Sequence, residues 1–160
     1  MANTKEVRKQ IASIKGTQKI TSAMEMVAAS KMKKTQDNML KGRPYSLKIK
    51  DVIAHIASAN SEYPHPFYEE RSAKKACFIV VSSDKGLCGG LNINLFKQVI
   101  AKSAELHEQG VESCFALIGS KAPGFFKSIG GKVVGVAEKL GDKPNPEDLI
   151  GLTKVVLDMH

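Results

Sequence analysis

Thr17-Gln-Lys-Ile-Thr-Ser-Ala-Met-Glu-Met-Val-Ala-Ala-Ser-Lys31 is the stretch whose reading decides the fold. Its apolar side chains recur at helical spacing, but they are too few and too small to anchor a core. Working outward, Val7, Ile11 and Ile14 continue the pattern towards the N-terminus, and Met32 and Met39 continue it the other way. Asn3 followed by Glu6 supplies a start signal: an amide side chain for the free N–H groups of the first turn, and a negative charge at the positive end of the helix. Small residues (Ser22, Ala23, Ala28, Ala29, Ser30) keep the middle slender, so another backbone or a protein wall can approach closely. Gly16 weakens the helix by roughly 1 kcal/mol relative to Ala. Such a segment is built to lie against another helix or inside another protein.

Gly42-Arg43-Pro44 is a breaker by local rules and is expected to end or kink the helix. Helical spacing resumes at Leu47, Ile49, Val52, Ile53 and Ile56, giving a long helical segment over 1–61. Tyr63-Pro-His-Pro-Phe67 reads as a linker, taken over 62–75. From 76 to 160 the pattern alternates: strand Ala76–Ser82, helix Leu91–Gln109 closing at Gly110, strand Glu112–Ile118, short helix Lys121–Ile129, strand Lys132–Ala137, loop Gly141–Pro146 and helix Pro146–Asp158. Strand–helix alternation at this spacing predicts an α/β domain with a small parallel sheet.

Charge is unevenly placed. Of the net +8, residues 1–50 carry 12 Lys/Arg against Glu6, Glu25 and Asp37, whereas the remainder is almost balanced. The N-terminal arm therefore suits an anionic partner: nucleic acid, lipid headgroups or acidic protein loops. Aromatics for base stacking are missing from the basic run Lys31, Lys33, Lys34, Lys41, Arg43 until Tyr45, which favours a solvated or acid-facing helix over a nucleic-acid reader. No apolar run approaches the ~18 residues that span a bilayer, and the first residues lack the apolar stretch of a signal peptide, so a cytoplasmic location is expected. Cys77, Cys88 and Cys114 show no metal or redox spacing and are read as reduced thiols. The histidines (His55, His65, His107, His160) are too scattered for a local metal motif.

Ser82-Ser-Asp-Lys-Gly-Leu-Cys-Gly-Gly-Leu91 follows the first strand and opens a helix, the place where α/β folds bind phosphates. It lacks both the Gly-x-Gly-x-x-Gly fingerprint and the Gly-Lys-Ser/Thr ending of a P-loop. A phosphate loop, a tight structural turn and a loop that touches a protein partner stay open. Asp84, Lys85 and Cys88 have no nearby His to make them catalytic. Gly119-Ser-Lys121 reads as another strand-to-helix turn.

Three strings carry a resemblance. Thr17-Gln-Lys-Ile-Thr21 with Ala23-Met-Glu-Met-Val-Ala-Ala-Ser-Lys31, then Ser82–Phe96, then Leu117-Ile-Gly-Ser-Lys121 closely resemble the gamma subunit of bacterial F-type ATP synthases, and Arg43-Pro-Tyr45 falls at the distance that family expects. The resemblance implies an N-terminal helix forming half of an antiparallel coiled coil, followed by a small Rossmann-like parallel-sheet foot domain. It implies a non-catalytic central-stalk rotor subunit with no cofactor, no metal and no nucleic acid. The implied partners are the alpha and beta subunits of the head, the epsilon subunit and the c-subunit ring. The membrane is met only peripherally, at the cytoplasmic face of the inner membrane. Lys19, Ile20, Met24 and Val27 correspond to the shaft surface near the beta subunits, and Lys31, Lys33 and Lys34 to positions facing acidic loops. Asp84, Lys85, Gly86, Leu87, Cys88, Gly89 and Gly90 correspond to a foot loop reaching towards the head or epsilon. In the family the helix runs on through the Arg-Pro-Tyr segment, which makes Pro44 a kink. The family's second long helix and later strands are missing here, so the chain is expected to be an N-terminal portion with an incomplete foot. An uncovered stripe is expected to fray or self-associate through Val7–Met39. Helix content that falls on dilution, followed by circular dichroism, is the outcome that fits. A dilute monomer with a fully exchange-protected N-terminal helix is the outcome that does not.

Overall fold

A computed structural model describes residues 3–58, 67, 71–142 and 144–159. The chain divides into two units, Met1–Pro64 and His65–His160. The proline-rich segment expected to be a linker lies, apart from Phe67, outside the described residues.

Among the described residues the first unit is one helix, α1 (Thr4–Ser58), of 55 residues with none buried. At 1.5 Å per residue it is roughly 80 Å long. Asn3 opens it as expected: its carbonyl accepts the Glu6 and Val7 amides at 2.7 and 3.2 Å, and its side chain accepts the Lys5 amide at 3.3 Å. At Gly42-Arg43-Pro44, where an end or a kink is expected, the helix does not end but continues through Pro44 to Ser58. Pro44 has no N–H to give the Leu40 carbonyl. Both residues sit on an exposed helix, so water can take that carbonyl and the break is not forced. Hydroxyl side chains along α1 fold back onto its own carbonyls: Thr17 onto Ser13 at 3.2 Å, Thr21 onto Thr17 at 2.9 Å, Thr35 onto Lys31 at 2.9 Å. Each such threonine turns its polar atom inward and leaves its methyl to the surface.

The second unit is α/β. Its elements are β1 (Lys75–Val81), α2 (Leu91–Glu108), β2 (Glu112–Ile118), α3 (Ala122–Ser128), β3 (Val133–Ala137) and α4 (Glu147–Leu157), each within a residue or two of its expected bounds. The strands form a parallel sheet in the order β1-β2-β3. Its two faces are packed differently. One carries Val80, Phe96, Phe115, Leu117, Ala122 and Phe126 under α2 and α3, with ring centroids 4.6 Å apart for Phe115–Phe126 and 4.7 Å for Phe96–Phe125. The other is built from small residues, Ala116 and Ala137, on which Leu152 of α4 sits. A Cβ on Gly135 would stand 2.5 Å from Leu152 Cδ1, so the absence of a side chain there lets α4 approach β3. That cover stops short of β1, where Ile79 and Val81 stay 57% and 61% exposed.

Replacing Gly42 with Ala strengthens α1 by about 1 kcal/mol, and replacing Pro44 with Ala by about 3 kcal/mol, because both stand in open helix with no tertiary contact to lose. Far-UV circular dichroism through a thermal ramp checks this, with the proline variant showing the larger rise.

Candidate functional site

Two surfaces carry the residues singled out above, one in each unit. On α1, Ile20, Met24, Val27 and Lys31 follow one another at steps of four, three and four and so share a face. Ile20, Met24 and Val27 are each at least half exposed. Lys19, Lys33 and Lys34 are exposed on the same stretch of helix. The helical spacing read in the sequence also contains a second line, whose seven-residue order was not singled out there. Starting at Val7 and ending at Ile56, steps of four and three alternate through Ile11, Ile14, Gln18, Thr21, Glu25, Ala28, Met32, Thr35, Met39, Gly42, Ser46, Ile49 and Ile53. Positions at this spacing lie along one side of the helix, the pattern of a coiled-coil seam. Its ends are Val and Ile; its middle is small, and a shallow groove of about 590 Å³ runs there along Ser13, Ile14, Thr17, Gln18, Thr21, Ser22 and Glu25. The signal was present, but the interleaved Gln18, Glu25 and threonines hide it from a count of apolar residues.

The second surface is where the three parallel strands end. Ser82, just past β1, donates its backbone N–H (2.8 Å) and its hydroxyl (3.1 Å) to the Ile118 carbonyl at the end of β2, and its Oγ accepts the Ala122 amide that opens α3 (3.0 Å). Gly119 follows β2 with φ +91°, and a Cβ there would lie 2.1 Å from the Ser82 carbonyl oxygen. Only glycine lets the strand ends meet so closely. Asp84 then reaches across the sheet. Its Oδ1 accepts the Ser120 hydroxyl at 2.9 Å, the Ser120 amide at 3.0 Å and the Lys139 amide at 3.3 Å. The Ser120 hydroxyl, followed by the Ser120, Lys139 and Gly141 amides, holds the Asp84 carboxyl below its ordinary value of 3.8, against a smaller opposing effect of desolvation. One carboxylate therefore ties together the loops after β1, β2 and β3.

The rest of the loop is fastened from inside. Asn92 on α2 accepts the Ser83 amide at 3.2 Å and donates its side-chain amide to Ser83 Oγ at 2.8 Å and Cys88 Sγ at 3.4 Å. Ser83 Oγ donates to the Lys85 carbonyl at 2.7 Å. Gly86 leads to Leu87, which holds the left-handed φ of +62° and is 92% exposed. Gly89 is also left-handed, at φ +57°, and Gly90 starts α2. A bulky apolar side chain is thus held outward at the tip of a rigid loop, in a backbone conformation that costs roughly 1–2 kcal/mol for any residue with a Cβ.

A cleft of about 520 Å³ lies beside this hub, lined by Ser82, Ser83, Asp84, Lys85, Gly119, Gly141 and Asp142 among others. Phosphates in α/β folds sit at this end of the strands, on free amides. Here the Ser120 and Lys139 amides are taken by Asp84, and a second carboxylate, Asp142, lines the cleft. A phosphate would have to displace one anion and approach another. The residues Ser120, Lys139 and Asn92 were not singled out in the sequence. Among the described residues, no three His, Cys, Asp or Glu side chains gather where they could hold a metal, and no helix is long and apolar enough to cross a membrane.

Compared with known proteins, residues 3–160 match the sequence model of the family described as ATP synthase. The match takes in both surfaces.

Because the folded state lowers the Asp84 pKa, ionised Asp84 stabilises the second unit above the ordinary carboxyl range, and this contribution is lost as pH falls through its folded value. Asp84→Asn accordingly lowers the melting temperature at neutral pH and narrows the difference from wild type in acid. Gly119→Ala costs about 3 kcal/mol at any pH, from strain and from the clash with Ser82. Thermal melts of both variants across a pH series separate the two effects.

Proposed function

Since the chain belongs to the ATP synthase family, as a gamma subunit of the F-type enzyme, we propose that it is the central shaft, a non-catalytic rotor part. It couples ion flow through a ring of c subunits to conformational change at catalytic sites on the alpha and beta subunits. The observation that carries this reading is α1: 55 continuous residues with no buried side chain and a seam for a partner helix along its length. A helix with this much exposed apolar surface gains most of its stability from what packs on it. The segment 1–61 is the shaft, 62–75 the connection, and 76–160 belongs to the foot.

The two surfaces take different partners in this reading. Ile20, Met24 and Val27 lie against the inner wall of the alpha–beta head, with Lys19, Lys31, Lys33 and Lys34 drawn to acidic loops there. The loop from Asp84 to Gly90, with Leu87 as its knob, docks on the head or on epsilon. Contact with the membrane is peripheral, through the ring, at the cytoplasmic face. The slender middle of α1 suits a shaft that must turn in a sleeve, because small side chains offer little to catch on. A nucleotide-binding reading has less support, since Asp84 fills the donors that a phosphate would need.

Co-purification of the chain with alpha and beta subunits that hydrolyse ATP tests the proposal; failure to recover them at low salt would sink it. Leu87→Gly gives the sharper outcome. It relieves the left-handed strain and raises the stability of the second unit by up to about 1 kcal/mol, yet weakens retention of the partners. A merely structural loop would show the first effect without the second.

A further inference from the structure

Cys77 and Cys114 were read in the sequence as unrelated thiols, 37 positions apart. The sheet puts them side by side. In the parallel pairing of β1 with β2, Cys77 is the register partner of Cys114. Residues opposite each other in a parallel pair point to the same face, and neighbouring strands run about 4.7–4.9 Å apart. That lies inside the roughly 4.4–6.8 Å of Cα separation over which a disulfide closes. The two thiols are close enough for Cys114 to raise the Cys77 pKa. Cys88, in the loop held by Asn92, is not part of the pair.

Access is one-sided. Cys114 is 4% exposed, in the central strand. Cys77 is on an edge strand, half-buried, and packs against the small cluster that contains Ala116. Further along the same face of β1, Ile79 and Val81 are open to solvent, because α4 does not reach that far. A small molecule therefore meets the half-buried Cys77 more readily than the buried Cys114.

We propose that Cys77 and Cys114 are a redox dithiol, which a low-molecular-weight disulfide of the glutathione class converts into an intrachain bond stapling β1 to β2. Cys77 loses its proton and attacks one sulfur of the oxidant. A mixed disulfide forms and one thiolate leaves, taking up a proton. Cys114 then loses its proton and attacks Sγ of Cys77, and the second thiolate leaves and is protonated in turn. The two cysteines are oxidised together, and one disulfide oxidant becomes two thiols.

The geometry also sets the character of the bond. Side chains in a parallel pair stand at about the strand spacing, whereas the Cβ atoms of a disulfide prefer about 3.5–4.5 Å. Closure draws the strands together, and a strained bond is easily reduced, which is the behaviour of a reversible staple rather than a permanent one. Burial pushes the Cys77 thiol up to about 11, with the neighbouring Cys114 adding to it. Little thiolate is present at neutral pH, so the pair closes slowly and reports sustained oxidation. Its effect is mechanical. The far end of β1 is already tied to β2 through Ser82 and Ile118, so a staple at Cys77 fixes the edge strand at both ends.

The test uses the whole chain and oxidised glutathione. The expected product is monomeric and lighter by two hydrogens, keeps Cys88 as its single free thiol in denaturant, and yields a linked Cys77–Cys114 peptide that dithiothreitol separates. Hydrogen exchange in Lys75–Val81 slows in the oxidised form. Cys88→Ser gives the same linked peptide, and Cys114→Ser stops at a glutathione adduct on Cys77. Three free thiols after prolonged exposure, a persistent glutathione adduct on Cys77 of the wild-type chain, or a link made through Cys88 would each overturn the proposal.

Discussion

A helix of 55 residues with no side chain buried is under one governing constraint: its apolar stripe has to be covered by something, and propensity alone leaves it marginal. Isolated helices draw little stability from their backbone bonds once competition with water is counted. The rest of the N-terminal unit answers that constraint. Threonine hydroxyls turn back onto the backbone and present methyls. Alanines and serines thin the middle. Lysines add positive charge along its length. Each choice leaves the helix with little core of its own.

The second unit solves the opposite problem, how a small sheet can be rigid with few residues. One face is filled with phenylalanines, the other with alanine and glycine under a single leucine. At the strand ends, where such sheets hold ligands in other proteins, a side chain of the protein itself occupies the donors. Asp84 does there what a bound anion does elsewhere, and the loop after β1 is stiff as a result. That stiffness explains how Leu87 can be kept in an unfavourable backbone conformation while almost fully exposed.

Much of this could be read from the sequence. The start at Asn3, the order of strands and helices and their bounds within a residue or two follow from periodicity and glycine punctuation, which act over a few neighbours. At Pro44 the local rule leaves an end or a kink open, and the helix does not end there, because on an exposed helix solvent can take the place of the lost hydrogen bond. The Asp84 hub was out of reach. Its donors come from Ser120 and Lys139, 36 and 55 positions away, and no short-range pattern links them. The facing cysteines were hidden likewise, since register is a property of the sheet. The seam on α1 was legible in principle, but its small and polar members had to be read by position rather than by hydropathy.

The unbroken alternation of four and three along α1 has a geometric corollary. A strict seven-residue repeat slips by about 20° per heptad against a straight α-helix. Between Val7 and Ile56 there are seven repeats, so on a straight rod the ridge would wind through roughly 140°. A collar at one height and a collar near the other end would then meet the same ridge at different azimuths. The ridge is then less a straight line than a screw thread, in which angular phase is written into axial position.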